Sequence, residues 1–336
     1  MADRGARPIW RRSPGLRRAV SVPAVGLGAV GLAATSVVWA PTAAAIDLAT
    51  AGRRFPRVRL VSFVLAWTTL ETAGLTASAA LWAARRHRDH EAHYALQRWW
   101  ADRLVGAVRH TTALRIEVEN PEALHPGPIV LCARHASIAD ALLPAWILGR
   151  VGMRGRHVLM DALLADPCLD VVGTRLPNHF IDRDPGDSEA ELARVEALAR
   201  GMGTRDAAVI FPEGMVVDEP KRARALARIA ERDPERHARV AGLAHLAPVR
   251  PGGTAALLRG APTADLVLLT HTGLEPLGRV RGALGRIPLI EPVRVSLRRI
   301  PRAEIPEGGE FVPWLDARWA ESDALVDDRL SSEATA

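Results

Sequence analysis

The chain has 336 residues, 48% of them hydrophobic, and its formal net charge is +6. This length and composition fit one enzyme-sized domain plus an appendage, and the two cysteines are too few for a disulfide framework. The basic residues flank apolar segments rather than aromatic platforms, which disfavours nucleic acid as a partner. Attraction to anionic lipid or phosphate-bearing substrates and a compositional bias toward arginine both remain compatible with the charge.

Two long apolar segments follow a basic tail at residues 1–18. Residues 19–46 carry no charged side chain and residues 60–84 carry only Glu71, and each segment exceeds the ~20 residues that span a bilayer. We therefore expect a membrane hairpin of two apolar helices over residues 19–84, with Pro23 and Pro41 bending or ending the first helix. A monotopic or re-entrant hairpin is the alternative. A cleaved signal peptide is disfavoured, because its apolar core runs only ~7–15 residues.

Arginines are more numerous before residue 19 and after residue 84 than in the loop between the two segments. This excess predicts that both flanks face the cytoplasm. We expect a protein that is integral to, or tightly bound at, the plasma (inner) membrane, with the domain after the hairpin in the cytoplasm. The run Gly26-Leu-Gly-Ala-Val-Gly31 has the spacing of a dinucleotide-binding turn, but Pro23 and Pro41 stand where its strand and helix would run.

Residues 85–330 alternate apolar runs with helical patterns, which predicts an α/β domain with a largely parallel sheet covered by helices. After a polar helix at 85–110, strands are predicted at 129–134, 157–160, 207–211, 245–249, 265–271 and 291–298. Helices are predicted at 138–149, 188–200, 221–240 and 315–329, and residues 331–336 are expected to form a disordered tail. Cys132 falls in the first of these strands and is expected to be a small buried hydrophobe.

A histidine and an aspartate follow the predicted strand at 129–134 directly. His135 stands at the carboxyl end of that strand and Asp140 stands five residues later. This arrangement suits a general base and the group that orients it. The spacing alone does not decide, because His179 and Asp184 share it.

Three ordered blocks give the pair a context. His135, Ser137 and Asp140 form the pattern His-x-Ser-x-x-Asp, residues 180–183 read Phe-Ile-Asp-Arg, and residues 211–214 read Phe-Pro-Glu-Gly. In this order they resemble the glycerophospholipid acyltransferase family, the lysophosphatidic acid acyltransferases and their relatives. Residues 247–253, 298–306 and 314–323 resemble the C-terminal region of the eukaryotic-type lysophospholipid acyltransferases, so that the resemblance covers about residues 95–330.

The chain also departs from the family pattern at several positions. Arg134 stands where the family often has Asn, Pro177 where it often has Gly, and Met215-Val216 where Thr-Arg usually follows the third block. The last departure points to a different acceptor or to weaker activity on the usual one.

The resemblance implies a membrane-bound acyltransferase that moves a fatty acyl group from acyl-CoA or acyl-ACP to a free hydroxyl of a lysophospholipid such as lysophosphatidic acid. His135 would be the general base and Asp140 would orient it. The substrate-binding residues would be Arg183, Glu213, Gly214 and Ser137, with Arg183 on the acceptor phosphate and Glu213 either contacting acceptor hydroxyls or bracing the site.

No metal and no cofactor is expected, since the acyl thioester is a substrate. The expected partners are a phospholipid membrane, the lysophospholipid acceptor and acyl-CoA or acyl carrier protein, and no nucleic acid. Two alternatives remain open: a catalytically weak lipid-binding pseudoenzyme and a membrane-tethered hydrolase. The hydrolase is disfavoured because the chain has no Gly-x-Ser-x-Gly sequence.

Overall fold

The structure is a computed structural model that describes residues 13–182, 188–275 and 285–335. The chain divides into two compact units. The first comprises Met1–Ala113 and Leu159–Asp184, and the second comprises Leu114–Val158 and Pro185–Ala336.

The first unit is built from helices. The helices of its described part are α1 (Pro14–Ala34), α2 (Ser36–Thr50), α3 (Pro56–Ala83), α4 (His90–Thr112) and the short α6 (Pro167–Val171), and a short strand β4 covers His179–Ile181. Helix α1 packs on α3, and α3 packs on α4. The prediction of two long apolar helices packed together is confirmed.

The first apolar segment does not end its helices at the prolines. Pro23 lies inside α1 and Pro41 lies inside α2, while the break falls at Thr35. A proline removes a single helix hydrogen bond, and the apolar residues on either side keep the helical conformation through it. The expectation of a helix end at Pro23 or Pro41 was therefore wrong.

Two segments of this unit, Pro14–Ala34 and Gly52–Ala83, are long and apolar enough to cross a membrane. Large apolar side chains on the first helices face outward, with Leu27 73% and Val30 67% exposed. Their length, composition and exposure are compatible with membrane association.

Glu71, the one charge in the second apolar segment, is buried and paired. Its Oε1 accepts a hydrogen bond from Trp100 Nε1 at 2.8 Å, and its Oε2 accepts one from the Cys168 amide at 3.0 Å. The carboxylate therefore joins α3 to α4 and to the start of α6, which explains how this helix tolerates it.

The second unit is a sheet covered by helices. Its strands are β1 (Ile116–Glu119), β2 (Ile129–Ala133), β3 (Arg154–Met160), β5 (Asp206–Ile210), β6 (Asp265–Thr272) and β7 (Val293–Ile300). Its helices include α5 (Leu142–Arg150), α7 (Ser188–Ala199), α8 (Glu219–Arg232), α9 (Pro234–Val240), α10 (Pro251–Gly260) and α11 (Phe311–Thr335).

These six strands follow one another in the order β1-β7-β6-β2-β5-β3. Every pair is parallel except β6 with β7. Strand β2 lies at the centre between β6 and β5, and all of Ile129–Ala133 is buried. A continuous apolar run of this kind is typical of a central parallel strand, and the predicted α/β class is confirmed.

One predicted strand is absent from the described chain. Residues 245–249 form no strand, because side-chain carboxylates take up their backbone amides. Asp323 accepts hydrogen bonds from the amides of His245 and Leu246, and Glu213 accepts one from Ala247. The segment has the apolar pattern of a strand, but its backbone amides already donate to these carboxylates and are not available to a neighbouring strand.

Two helix boundaries also differ from expectation. The predicted helix 221–240 is two helices, because Asp233 caps a new one that begins at Pro234. The last helix, α11, runs to Thr335, through most of the predicted disordered tail at 331–336. No glycine or proline occurs among those last residues to end it.

Candidate active site

A tight turn after β2 brings His135 and Asp140 together. Ser137 caps the turn: its Oγ accepts the Ala139 amide at 3.0 Å, while Asp140 Oδ2 accepts the Ser137 amide at 2.7 Å. This reciprocal cap fixes the carboxylate. Asp140 Oδ1 lies 2.6 Å from His135 Nδ1. The hydroxyl of Ser137 is thus used within the turn and is buried.

The pair has the charge distribution that a general base needs. The side chain of His135 is 17% exposed, and that of Asp140 is fully buried. Burial opposes the charge on Asp140, but hydrogen bonds from His135 and His271 outweigh it and hold the pKa of the carboxyl below its ordinary value. Because the carboxylate accepts from Nδ1–H, the other ring nitrogen, Nε2, can take a proton.

Glu213 braces the turn from the loop after β5. Its Oε2 accepts a hydrogen bond from the backbone amide of His135 at 2.6 Å, and its Oε1 accepts one from the Ala247 amide at 2.9 Å. The residue is 1% exposed. Burial raises the pKa of Glu213 to about 7, although the two amide donors oppose the rise. Both carboxylate oxygens thus accept hydrogen bonds from backbone amides.

Gly214 makes the turn that follows. Its φ is +69°, in the left-handed region, and its amide bonds to the Phe211 carbonyl at 3.0 Å. A Cβ there would lie 3.1 Å from Cδ of Arg250. The Val217 amide then bonds to the His135 carbonyl at 2.8 Å. The loop 211–217 is therefore tied to His135 on both sides, and Arg250 places a cation beside Gly214.

Sequence reasoning missed a second histidine at this site. His271 lies near the end of β6, is fully buried, and places Nε2 3.3 Å from Asp140 Oδ2. Arg134 reaches it from the end of β2, where its guanidinium bonds to the His271 carbonyl and, at 2.6 Å, to Glu275. The one available signal was a histidine at the end of another predicted strand, and its partner becomes visible only when that strand is paired with β2.

The remaining predicted residues lie elsewhere. Arg183 and Asp184 lie outside the described residues, and His179 belongs to β4 of the first unit. Cys132 is fully buried in β2 as expected, where burial raises the pKa of its thiol to about 12. Within the described ranges, no cluster of histidine, cysteine, aspartate or glutamate side chains could hold a metal.

A cavity of about 570 Å³ in the second unit contains none of the predicted site residues. It is lined by residues of β6, β7 and α11, including Thr270, Arg298 and Glu321.

Comparison with known proteins locates a family on this region. Residues 115–251 match the family described as Acyltransferase, a span that contains His135, Asp140 and Glu213. No curated protein sequence matches the chain significantly. Among solved structures, the crystal structure of the 1-acyl-sn-glycerophosphate (LPA) acyltransferase PlsC from Thermotoga maritima is similar, with a TM-score of 0.46 and 11% identity over 78% of this chain and 96% of that one. Residues 115–251, which hold the site described above, are thus similar in sequence to the acyltransferases.

Proposed function

We propose that this protein transfers a fatty acyl group from an acyl thioester, acyl-CoA or acyl-ACP, to a free hydroxyl of a lysophospholipid such as lysophosphatidic acid. The observation that carries the proposal is the 2.6 Å contact between His135 Nδ1 and the buried Asp140 carboxylate at the end of the central strand. The family match supports the reaction class. The acceptor class is inferred from the resemblance of the three sequence blocks.

The reaction needs one proton carrier. The acceptor hydroxyl attacks the thioester carbonyl while His135 Nε2 removes its proton, and Asp140 stabilises the imidazolium that results. The C–O bond forms, the C–S bond then breaks, and the imidazolium returns the proton to the leaving thiolate. No enzyme nucleophile is required, which agrees with the buried Ser137 hydroxyl and the raised pKa of the Cys132 thiol.

Binding is assigned to cations and to the apolar helices. Arg183 holds the acceptor phosphate in this proposal, because the planar guanidinium matches phosphate oxygens. The outward-facing side chains of α1 and α3 anchor the protein in the inner membrane, where its lipid acceptor resides. The acyltransferase domain then works from the cytoplasmic side, where the acyl thioester is available.

The test is an acyl-transfer assay on the full chain in detergent micelles, with labelled acyl-CoA and a panel of lysophospholipids. His135→Ala should lower kcat at least ~10²-fold, the usual contribution of a general base. His245→Ala is the matched control, because His245 also bonds to an aspartate, Asp327, at 2.9 Å. This aspartate is distant from His245 in the sequence, and the pair is more exposed than His135 and Asp140. The control should stay within twofold of wild type. Comparable activity in the His135 variant and wild type would refute the mechanism.

A further inference from the structure

The second oxygen of the Asp140 carboxylate faces a second histidine. Asp140 Oδ1 is used by His135, whereas Oδ2 lies 2.7 Å from the Ser137 amide and 3.3 Å from His271 Nε2. The side chains of Asp140 and His271 are both completely buried. The carboxylate therefore lies between two imidazoles, and only that of His135 reaches solvent.

The surroundings of His271 determine which ring nitrogen carries its proton. Nε2 faces two acceptors, Asp140 Oδ2 and the Arg134 carbonyl, each at 3.3 Å. Nδ1 is buried and has no hydrogen-bond partner among the described residues. A neutral imidazole has one N–H donor, so the tautomer with the proton on Nε2 satisfies the acceptors, whereas the other would leave both facing a bare nitrogen.

An ion pair holds this histidine in place. The guanidinium of Arg134 bonds to the His271 carbonyl and to Glu275 Oε1, and Glu275 Oε2 accepts the Gly273 amide at 2.8 Å. Burial opposes the charge on Glu275, but the attraction of Arg134 outweighs it and keeps the pKa of Glu275 below its ordinary value. The turn after β6 is thereby clamped to the end of β2, and the ring of His271 is fixed against Asp140.

We propose that His271 is a positioning residue for acyl transfer, which donates Nε2–H to Asp140 Oδ2 and so holds the carboxylate in the orientation that aligns His135. The inference rests on the proposed function, since it acts through the base assigned there. His271 touches no substrate, because it is fully buried. Its loss should change the rate of the chemical step and leave substrate binding alone.

Three variants of the full chain test this role. His271→Phe keeps a ring but removes the donor, and we expect kcat to fall about tenfold, which corresponds to about 1.4 kcal/mol, with both KM values unchanged. The effect lies at the low end for a bond to a charged group because 3.3 Å is long. His271→Gln places an amide N–H the same number of bonds from Cβ and should restore kcat to within about twofold. His157→Phe, at a buried histidine of β3, is the control and should keep wild-type kcat.

A measurement on the wild-type protein makes the test independent of activity. Two-bond ¹H–¹⁵N correlation spectra of the histidine-labelled protein report the tautomer of each ring, and His271→Gln assigns the resonance. We expect a proton on Nε2 of His271, which faces the two acceptors. A proton on Nδ1 would overturn the inference, even if His271→Phe failed to fold or acyl transfer proved to be the wrong reaction.

The kinetic outcomes separate the two proposals. If His135→Ala is inactive but His271→Phe retains wild-type kcat, the His271 inference fails and the proposed function stands. If His271→Phe and His271→Gln lose the same activity, the residue contributes packing rather than a hydrogen bond, and the inference also fails. If His135→Ala is fully active, the proposed function fails and the role of His271 in acyl transfer fails with it, whereas a proton on Nδ1 would exclude the His271–Asp140 bond whatever the reaction.

Discussion

A substitution at Glu213 tests whether the buried charge of this side chain lowers the free energy of unfolding. Its carboxylate is fully buried, and burial raises the pKa of Glu213 from its ordinary value of 4.5 to about 7. Glu213→Gln has nearly the same shape but cannot ionise. The pH dependence of the difference in stability between the two proteins therefore isolates the charge.

The sign and size follow from linkage. A carboxyl whose pKa is raised on folding contributes its full stability below about pH 4.5 and loses it as the pH rises through about 7. The shift, 7 − 4.5 = 2.5 units, is worth about 3 kcal/mol at 1.36 kcal/mol per unit. Most of it develops between about pH 5 and pH 8. The free energy of unfolding of Glu213→Gln should therefore rise relative to wild type by about 2–3 kcal/mol over that range.

The activity of Glu213→Gln should fall below that of wild type, even though its relative stability rises with pH. The two oxygens of Glu213 accept hydrogen bonds from the amides of His135 and Ala247, whereas the glutamine NH₂ cannot accept and must face one of these N–H donors. We expect kcat to fall while KM for the acceptor stays constant, because the side chain holds backbone. If Glu213 contacted acceptor hydroxyls, KM would rise instead.

The assay is urea unfolding of the full chain in detergent at several pH values, followed by the fluorescence of tryptophans such as the buried Trp319 of the second unit. Glu304→Gln removes an exposed carboxylate from the same unit and is the control. A difference between Glu213→Gln and wild type that stays constant with pH, or that shifts in favour of wild type as the pH rises, would refute the reasoning.

Three further predictions follow from the acceptor, the glycine turn and the apolar helices. Arg183→Ala should raise KM for the lysophospholipid and leave the donor's KM unchanged, with partial rescue by Arg183→Lys because a point charge cannot reproduce a bidentate contact; an effect on the donor alone would assign the phosphate to coenzyme A. Gly214→Ala should lower the stability by about 1–2 kcal/mol because of its left-handed backbone, and it should lower kcat by displacing Arg250. The control is Gly152→Ala, at φ +72° with no atom near its Cβ, which should lose similar stability but no activity. Thermal melts measure the stability of both variants, and acyl-transfer assays measure their kcat. Leu27→Lys should reduce sedimentation with anionic vesicles, since a charge inside lipid costs about 2.5–3.5 kcal/mol, and equal binding of Leu27→Lys and the second-unit control Ile290→Lys would contradict anchoring by α1.

The parts of the site that sequence predicts are local. The run Ile129–Ala133 predicts a central strand because nothing polar interrupts it, and the sheet buries all of it. His135 and Asp140 meet because one turn of backbone joins them, and the cap by Ser137 is a short-range pattern. Such contacts need no knowledge of the sheet order.

The parts that sequence misses depend on pairing across the sheet. The segment 245–249 has the apolar composition of a strand, yet carboxylates from Asp323 and Glu213, 77 and 34 residues away, use its amides. Hydropathy cannot detect this, because it records which residues are apolar and not which donors remain free. The same limit left two roles open for Glu213, contact with acceptor hydroxyls and bracing of the site.

The parallel order of the central strands explains why distant residues form one site. Strands β2, β5 and β6 are neighbours that run the same way, so their carboxyl ends meet at one edge of the sheet. His135 follows β2, Glu213 follows β5, and His271 lies near the end of β6. The contact between His135 and Asp140 is made within one turn and would survive a change in β6, whereas the contact to His271 exists only in the observed register. The proposed base and its aspartate are thus local to one loop, while the residues that brace them come from the neighbouring strands. Substitutions at Glu213 or His271 should therefore alter the rate without removing the chemistry.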